Sequence, residues 1–389
     1  MNEKNMKNMQ SCDHLNLSRR LGCHKSELDT PCLMVDLDGL EENLRQMELV
    51  VRPSGKGLRP HVKTHKCSMI ARKQISAGAI GLCVAKLSEA EALIDQGLRG
   101  VLVTGPVVTP QKINRLLDVL EKDPSLMVVV DHFQNVQALQ KAALSKSLII
   151  NVLLDVDIGL HRTGTTPDRM LDMANRIADQ SALCLKGVQA YAGHVQHMKS
   201  HALRRQASLD SFQPAVNSLQ RIRADGILCE IFTGGGTGTF DIDIDIPEVT
   251  DLQVGSYVFM DAEYLAIGSV GDEERFTAFR PALTLLTTVV SVNQKDYVTV
   301  DAGLKAVYKD GPPPIVKDPS DRRLQYDWFG DEYGKISYDS GSVAPSLGRR
   351  IELIVSHCDP TVNQFDYLFV TQNERVVDLW PIDLRGKCQ

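Results

Sequence analysis

Arg59-Pro60-His61-Val62-Lys63-Thr64-His65-Lys66 ends a short apolar run and places a lysine where a strand gives way to a helix. Pro60 restricts the backbone, Val62 suits an extended chain, and Met69, Ile70, Ala71 and Ile75 recur at helical spacing over 68–78. Read this way, a strand points Lys63 at the rim of a parallel sheet. The same residues also read as a solvated basic turn made of Lys63, His65 and Lys66. The rest of the chain has to decide.

Working outward, apolar runs alternate with amphipathic stretches. The runs lie at 58–62, 80–84, 101–103, 127–130, 149–154, 185–190, 229–232 and 252–254. They make the set of eight strands that a closed (β/α)8 barrel of TIM type requires. Between them, 88–95, 110–120, 135–143, 167–178 and 201–225 carry apolar residues at helical spacing. An open doubly wound sheet shares this alternation, but no Gly-x-Gly-x-x-Gly opens the first unit, so the dinucleotide fold is the weaker choice. Ahead of these runs, 32–35 reads as apolar and 40–50 as a helix.

After Ala262 the texture changes. Runs rich in β-branched residues at 282–292, 297–300, 351–355 and 367–370 indicate a mostly β C-terminal domain. The Pro312-Pro313-Pro314 run and the polar stretch up to Asp339 read as one long connection within it. The expected division is a partly flexible N-terminal segment at 1–28, available to join the β domain, a barrel at 29–265 and the β domain at 266–389.

The 389 residues are 43% hydrophobic and 24% charged with a net charge of -6, the balance of a globular chain with ample core. Mild acidity argues against a nucleic-acid surface and favours small-molecule partners. No apolar run is long enough to span a bilayer, and the first thirty residues lack a signal-peptide core, so no membrane partner and a cytoplasmic location are expected. The nine cysteines are odd in number and contain no Cys-x-x-Cys, which favours reduced thiols, most of them in the core.

On a barrel, active sites form from the loops at the C-terminal ends of the strands. Lys63, the Asp157 to Arg162 loop, Tyr191 with His194 and His197, and the run Thr233-Gly234-Gly235-Gly236-Thr237-Gly238-Thr239 all fall there. The glycines let backbone N–H groups approach an anion, and Thr237 adds a hydroxyl, so Gly235, Gly236 and Thr237 suit a phosphate. A plain turn is the alternative. Ser256 and Tyr257 offer two more hydroxyls on the next rim, unless Tyr257 merely anchors the barrel end. A lysine amine, a phosphate cup and an aromatic or cationic rim point to pyridoxal 5'-phosphate, with Arg162 and Tyr191 against the cofactor. In Ser356-His357-Cys358-Asp359, an extended chain sends His357 and Asp359 to one side and Cys358 to the other. That pair suits a divalent metal with water completing its shell, or a simple hydrogen-bonded loop.

These elements, in this order, resemble the D-threonine aldolases, the related D-3-hydroxyaspartate aldolases and the D-serine dehydratases. Further matching stretches are Thr30-Pro31-Cys32, Ala85-Lys86-Leu87-Ser88-Glu89, Gln189-Ala190-Tyr191-Ala192-Gly193-His194-Val195-Gln196-His197, Gly255-Ser256-Tyr257 and Val300-Asp301-Ala302-Gly303. The resemblance implies the alanine racemase-like fold, fold type III of the pyridoxal enzymes. It implies pyridoxal phosphate as a Schiff base on Lys63, manganese or magnesium on His357 and Asp359, and His197 as a base near the substrate hydroxyl. It also implies a homodimer in which the β domain of one chain faces the barrel of the other. The implied reaction is retro-aldol cleavage of a β-hydroxy-D-amino acid, D-threonine or D-3-hydroxyaspartate, to glycine and an aldehyde. Dehydratases of the family resemble one another in a His-x-Cys pair where the aldolases have His-x-Asp, and here the pair is His357-x-Asp359. A metal-dependent D-serine or hydroxyaspartate dehydratase and a non-catalytic pyridoxal phosphate carrier are the alternatives.

Overall fold

The computed structural model describes residues 20–317, 324–339 and 343–389. Residues 1–19 of the expected N-terminal segment, and 318–323 within the expected long connection, lie outside the described residues.

The chain forms two compact units that interleave in sequence. One comprises residues up to 43, then 258–263 and 280–385; the other comprises 44–257, 264–279 and 386–389. β1 (Cys32–Asp36) explains the interleaving. It pairs antiparallel with a later strand of the β unit, Leu283–Ser291, and parallel with Tyr367–Gln372. Its apolar run therefore belongs to the β sheet and not to the alternation that follows.

In the second unit, β2 (Gly57–Leu58), β3 (Leu82–Val84), β4 (Val101–Val103), β5 (Met127–Val130), β6 (Ile150–Val156), β7 (Leu183–Ala190), β8 (Ile231–Gly234) and β9 (Asp251–Leu252) form a parallel sheet. Its order is β2-β9-β8-β7-β6-β5-β4-β3. The two ends meet. His61 bridges Cys83 in parallel, and the N–H groups of Ile80 and Cys83 donate to Leu58 O and Pro60 O at 2.8 and 2.9 Å. All eight apolar runs read from the sequence are strands of this (β/α)8 barrel, and each expected helix is present, including Leu87–Asp95, Pro110–Lys122 and His201–Ala224. Cys83, Leu102, Met127, Val129 and Leu153 pack as one buried cluster inside it. At its floor Arg59 donates to Asp251 at 3.3 Å, with side-chain exposures of 6% and 2%.

The β unit is built around β10 (Leu283–Ser291), with β11 (Tyr297–Val300), β12 (Ile315–Val316), β13 (Gln325–Trp328), β14 (Gly334–Ser337), β15 (Arg350–Ile354), β16 (Tyr367–Gln372) and β17 (Arg375–Pro381). The expected long connection up to Asp339 thus contains three strands. Their solvent-facing polar residues hide the period-two signal, as in Gln325-Tyr326-Asp327-Trp328, where only Tyr326 is buried. Residues 20–28 join this unit: Gly22 N–H donates to Val376 O at 2.8 Å, and Leu28 packs with Cys32, Met34, Leu286 and Val376.

Candidate active site

β2 stops at Leu58, and Val62–Thr64 is a short 3-10 turn, so Lys63 is presented by a turn and not by the end of a strand. His61 caps that turn by accepting Lys63 N–H at 3.4 Å, while its other ring nitrogen lies 3.2 Å from Thr104 Oγ1. The basic run is not a solvated turn. His65 is fully buried against Gln74 at 3.2 Å. Lys66, held at φ 47°, makes a 2.6 Å ion pair with Glu89, a residue 1% exposed. Glu89 also accepts the N–H groups of Ala85 and Lys86 at 2.9 and 3.1 Å. Only Lys63 of the three is exposed, because its neighbours are tied into the barrel.

Lys63 lines a cavity of about 470 Å³ whose wall includes Arg162, Tyr191, Gly235, Gly236, Thr237 and Ser256. The expected cofactor residues are thus brought together, with one exception. Tyr257 is fully buried, its ring packed against Phe279 at 5.6 Å and its hydroxyl accepting from Gln74 at 3.2 Å. Burial pushes its phenol well above the ordinary range. It reaches the glycine run by its backbone, donating N–H to Thr237 Oγ1 at 3.1 Å. His197 is not on the cavity wall; its ring stacks edge-on at 4.5 Å against Tyr264, which is.

Arg162 owes its position to a tight turn. Asp157 accepts the N–H groups of Gly159 and His161 at 3.0 and 2.9 Å and the His161 ring at 2.9 Å. Burial opposes its charge, but these donors prevail and hold the carboxyl below the usual range. Beneath the rim runs a polar ladder that the sequence reading did not single out. Gln253 donates to Gln189 at 3.2 Å, and Gln189 donates to Asp155 at 2.8 Å. Burial raises the Asp155 carboxyl, against the bonds from Gln189 and Thr163. The available signal was position, since Gln189 falls at the end of β7 and Gln253 just after β9.

Two features bear on a phosphate-bearing ligand. Gly235 adopts φ 76°, a conformation costly for other residues, and opens the run at the end of β8. Thr64 Oγ1 is fully buried in the same cavity wall with no hydrogen-bond partner among the described residues. A buried hydroxyl of this kind costs about 1–3 kcal/mol unless something supplies its bond. Lysine, glycine cradle and unsatisfied hydroxyl fit pyridoxal phosphate.

The His357–Asp359 pair lies in the β unit. The chain does not stay extended there: His357 stands at the N-cap position of the short helix Cys358–Val362, without a side-chain capping bond, so the period-two argument does not apply. Its outcome persists for another reason. The Cys358 N–H donates to Asp261 at 2.9 Å and its thiol turns into the core toward Met260 O at 3.6 Å. His357 Nε2 lies 3.9 Å from Asp359 Oδ1, and its Nδ1 lies 3.1 Å from Asp310. Burial works against a charged imidazole, but Asp359, Asp261 and Asp310 outweigh it and raise its pKa. Burial first, then the neighbouring carboxylates, raises Glu263. No three His, Cys, Asp or Glu side chains among the described residues form a ready-made metal cage. An imidazole and a carboxylate in an acidic surround fit a cation that keeps water in its shell.

A closed barrel with a rim lysine beside a glycine cradle, joined to a β unit, defines an alanine racemase-like enzyme. Residues 35–263 match the family model "Alanine racemase, N-terminal domain", and 282–371 match a serine dehydratase domain model. The chain is 37% identical to a D-threonine aldolase of Arthrobacter sp. over 363 residues, 93% of this chain and 94% of that one. It is 36% identical to a 3-hydroxy-D-aspartate aldolase of Paracoccus denitrificans over 375 residues, 94% of each chain. Among solved structures, D-threonine aldolase from Filomicrobium marinum matches with a TM-score of 0.90 at 32% identity, covering 95% of this chain and 99% of that one. The chain belongs to this family of alanine racemase-fold aldolases, and it is a lyase. No helix among the described residues is long and apolar enough to cross a membrane.

Proposed function

We propose that this protein cleaves a β-hydroxy-D-amino acid, D-threonine or D-3-hydroxyaspartate, into glycine and an aldehyde, with pyridoxal phosphate held by Lys63 and a divalent metal, manganese or magnesium, held by His357 and Asp359. The observation that carries this reading is the meeting of Lys63, the unsatisfied Thr64 hydroxyl and the glycine run on one cavity. When bound, the pyridoxal ring supplies a sink for the electron pair left at Cα as the Cα–Cβ bond breaks. A metal held by His357 and Asp359 would supply charge that lowers the pKa of the substrate hydroxyl.

The chain's own residues do the rest. Gly235 offers a backbone N–H group to the phosphate, Gly236, whose N–H donates to Thr239 Oγ1 at 3.4 Å, lets it approach closely, and Thr64, Thr237 and Ser256 offer hydroxyls. Arg162 and Tyr191 orient the ring from the neighbouring loops after β6 and β7. His197 takes the proton of the β-hydroxyl, so that the oxygen's electron pair forms the carbonyl as the Cα–Cβ bond breaks. Asp359, two residues after His357, supports the aldolase reading over the dehydratase one; Cys358 between them is buried, its thiol donating to Met260 O. The assembly proposed is a homodimer, which sedimentation velocity would test.

The deciding experiment incubates the pyridoxal-loaded protein with D-threonine, D-3-hydroxyaspartate and D-serine, with and without manganese, and identifies products by mass spectrometry. Glycine and an aldehyde, formed only with metal, are expected. Ammonia and an oxo acid would make it a dehydratase, and no product from any substrate would leave a carrier. Lys63→Ala is expected to lose the visible absorbance of the bound cofactor, and a retained band would move the cofactor lysine elsewhere.

A further inference from the structure

Arg204 is fully buried, yet none of its hydrogen bonds goes to a carboxylate among the described residues. Its guanidinium, at the start of the helix His201–Ala224, instead donates to backbone carbonyls of three separate segments. Nε reaches Gly238 O at 2.7 Å, Nη1 reaches Met198 O at 2.5 Å and Lys199 O at 3.4 Å, and Nη2 reaches Gly268 O at 2.5 Å. Burial lowers its pKa, and the more distant charges of Asp241 and Glu273 oppose that. Placing a charge there is costly; a lysine's donors all radiate from one nitrogen, whereas the planar fork spreads its donors over three.

The three segments are those of the site. Gly238 closes the glycine run, Met198 follows His197 directly, and Gly268 lies on the excursion that carries Tyr264. Gly268 N–H also donates to Lys199 O at 2.8 Å, so the last two segments are joined twice. The His197 and Tyr264 rings meet at 4.5 Å across that junction.

We propose that Arg204 is a positioning residue: its guanidinium sets the His197–Tyr264 pair in register with the glycine run, and so places the base of the reaction. This rests on His197 being that base. Two variants test it, Arg204→Lys, which keeps the charge and loses the fork, and Arg204→Gln, which keeps two donors and loses the charge. Each is measured alone and combined with His197→Ala, with the pyridoxal-loaded protein.

The expected result is a kcat at least about tenfold lower for Arg204→Lys, a smaller loss for Arg204→Gln, and a pH–rate profile displaced from the wild type. Combined with His197→Ala, neither substitution should slow the enzyme further, because the residue through which it acts is gone. Full multiplication of the two losses, or an unchanged kcat in Arg204→Lys, overturns the proposal. Loss of folding in both variants also overturns it, by marking the clamp as a stability element alone. If His197→Ala by itself leaves kcat unchanged, it is the assignment of the base that fails, and the single-variant profiles show that separately.

Discussion

Gly236→Ala tests the phosphate cradle at one atom. A Cβ on Gly236 would fall 2.4 Å from Gln196 Oε1 and 2.7 Å from its Cδ. Gln196 cannot step aside easily. It is 1% exposed, its Oε1 accepts Gly238 N–H at 3.0 Å, and its Nε2 donates to Thr239 Oγ1 at 2.9 Å and Ala192 O at 3.3 Å. Withdrawal gives up bonds that shape the glycine run, and overpacking of this kind costs about 1–3 kcal/mol. Strain placed on the conformation that takes the phosphate should appear as pyridoxal phosphate binding weakened by about 5–150-fold. The assay is titration of the apoprotein with the cofactor, followed by visible absorbance. Adding Gln196→Ala removes the opposing atoms and should recover part of the affinity, which a double-mutant cycle reads as coupling. An affinity for Gly236→Ala within about twofold of wild type, a change of well under 1 kcal/mol, refutes the cradle.

Three further outcomes are expected. Asp359→Ala should keep the cofactor band and lose cleavage, with partial recovery at high manganese; normal cleavage without metal removes this residue from the metal site. Arg59→Met leaves Asp251, 1% exposed, with the Thr233 and Thr250 hydroxyls as its side-chain donors among the described residues, and should cost about 3–5 kcal/mol in urea denaturation. The double change Arg59→Met with Asp251→Leu should cost less, and equal losses would contradict the buried-charge explanation. Burial raises Glu352, but the bond from Lys25 and the nearby Lys317 more than offset it and depress its carboxyl. A depressed carboxyl stabilises the fold above its unfolded value, near about 4.3, and loses that contribution as pH falls through the folded value. The Tm gap between wild type and Glu352→Gln should therefore close as pH drops below about 4, and a gap that persists there would count against the ion pair.

The barrel was legible because its signals are local. Each strand is short, each element is buried on the side its neighbours dictate, and the residues at strand ends share one rim wherever the alternation is unbroken. Lys63, Arg162, Tyr191 and the glycine run needed nothing more to be placed on one cavity. By itself the sequence determined the (β/α)8 architecture and the rim on which Lys63 stands. Partner choice was a different matter. That β1 leaves the barrel for the β sheet, that Gln325–Trp328 and Gly334–Ser337 are strands, and that Arg375–Pro381 pairs with β16 depend on contacts between residues far apart in the chain. Tyr257 turning into the core, His357 standing at the start of a helix and Arg204 clamping the carbonyls of three segments were likewise decided only in the tertiary structure. Periodicity says which residues are buried, but a buried polar group takes whichever partner the folded chain brings within about 3 Å, and no spacing in the sequence encodes that distance.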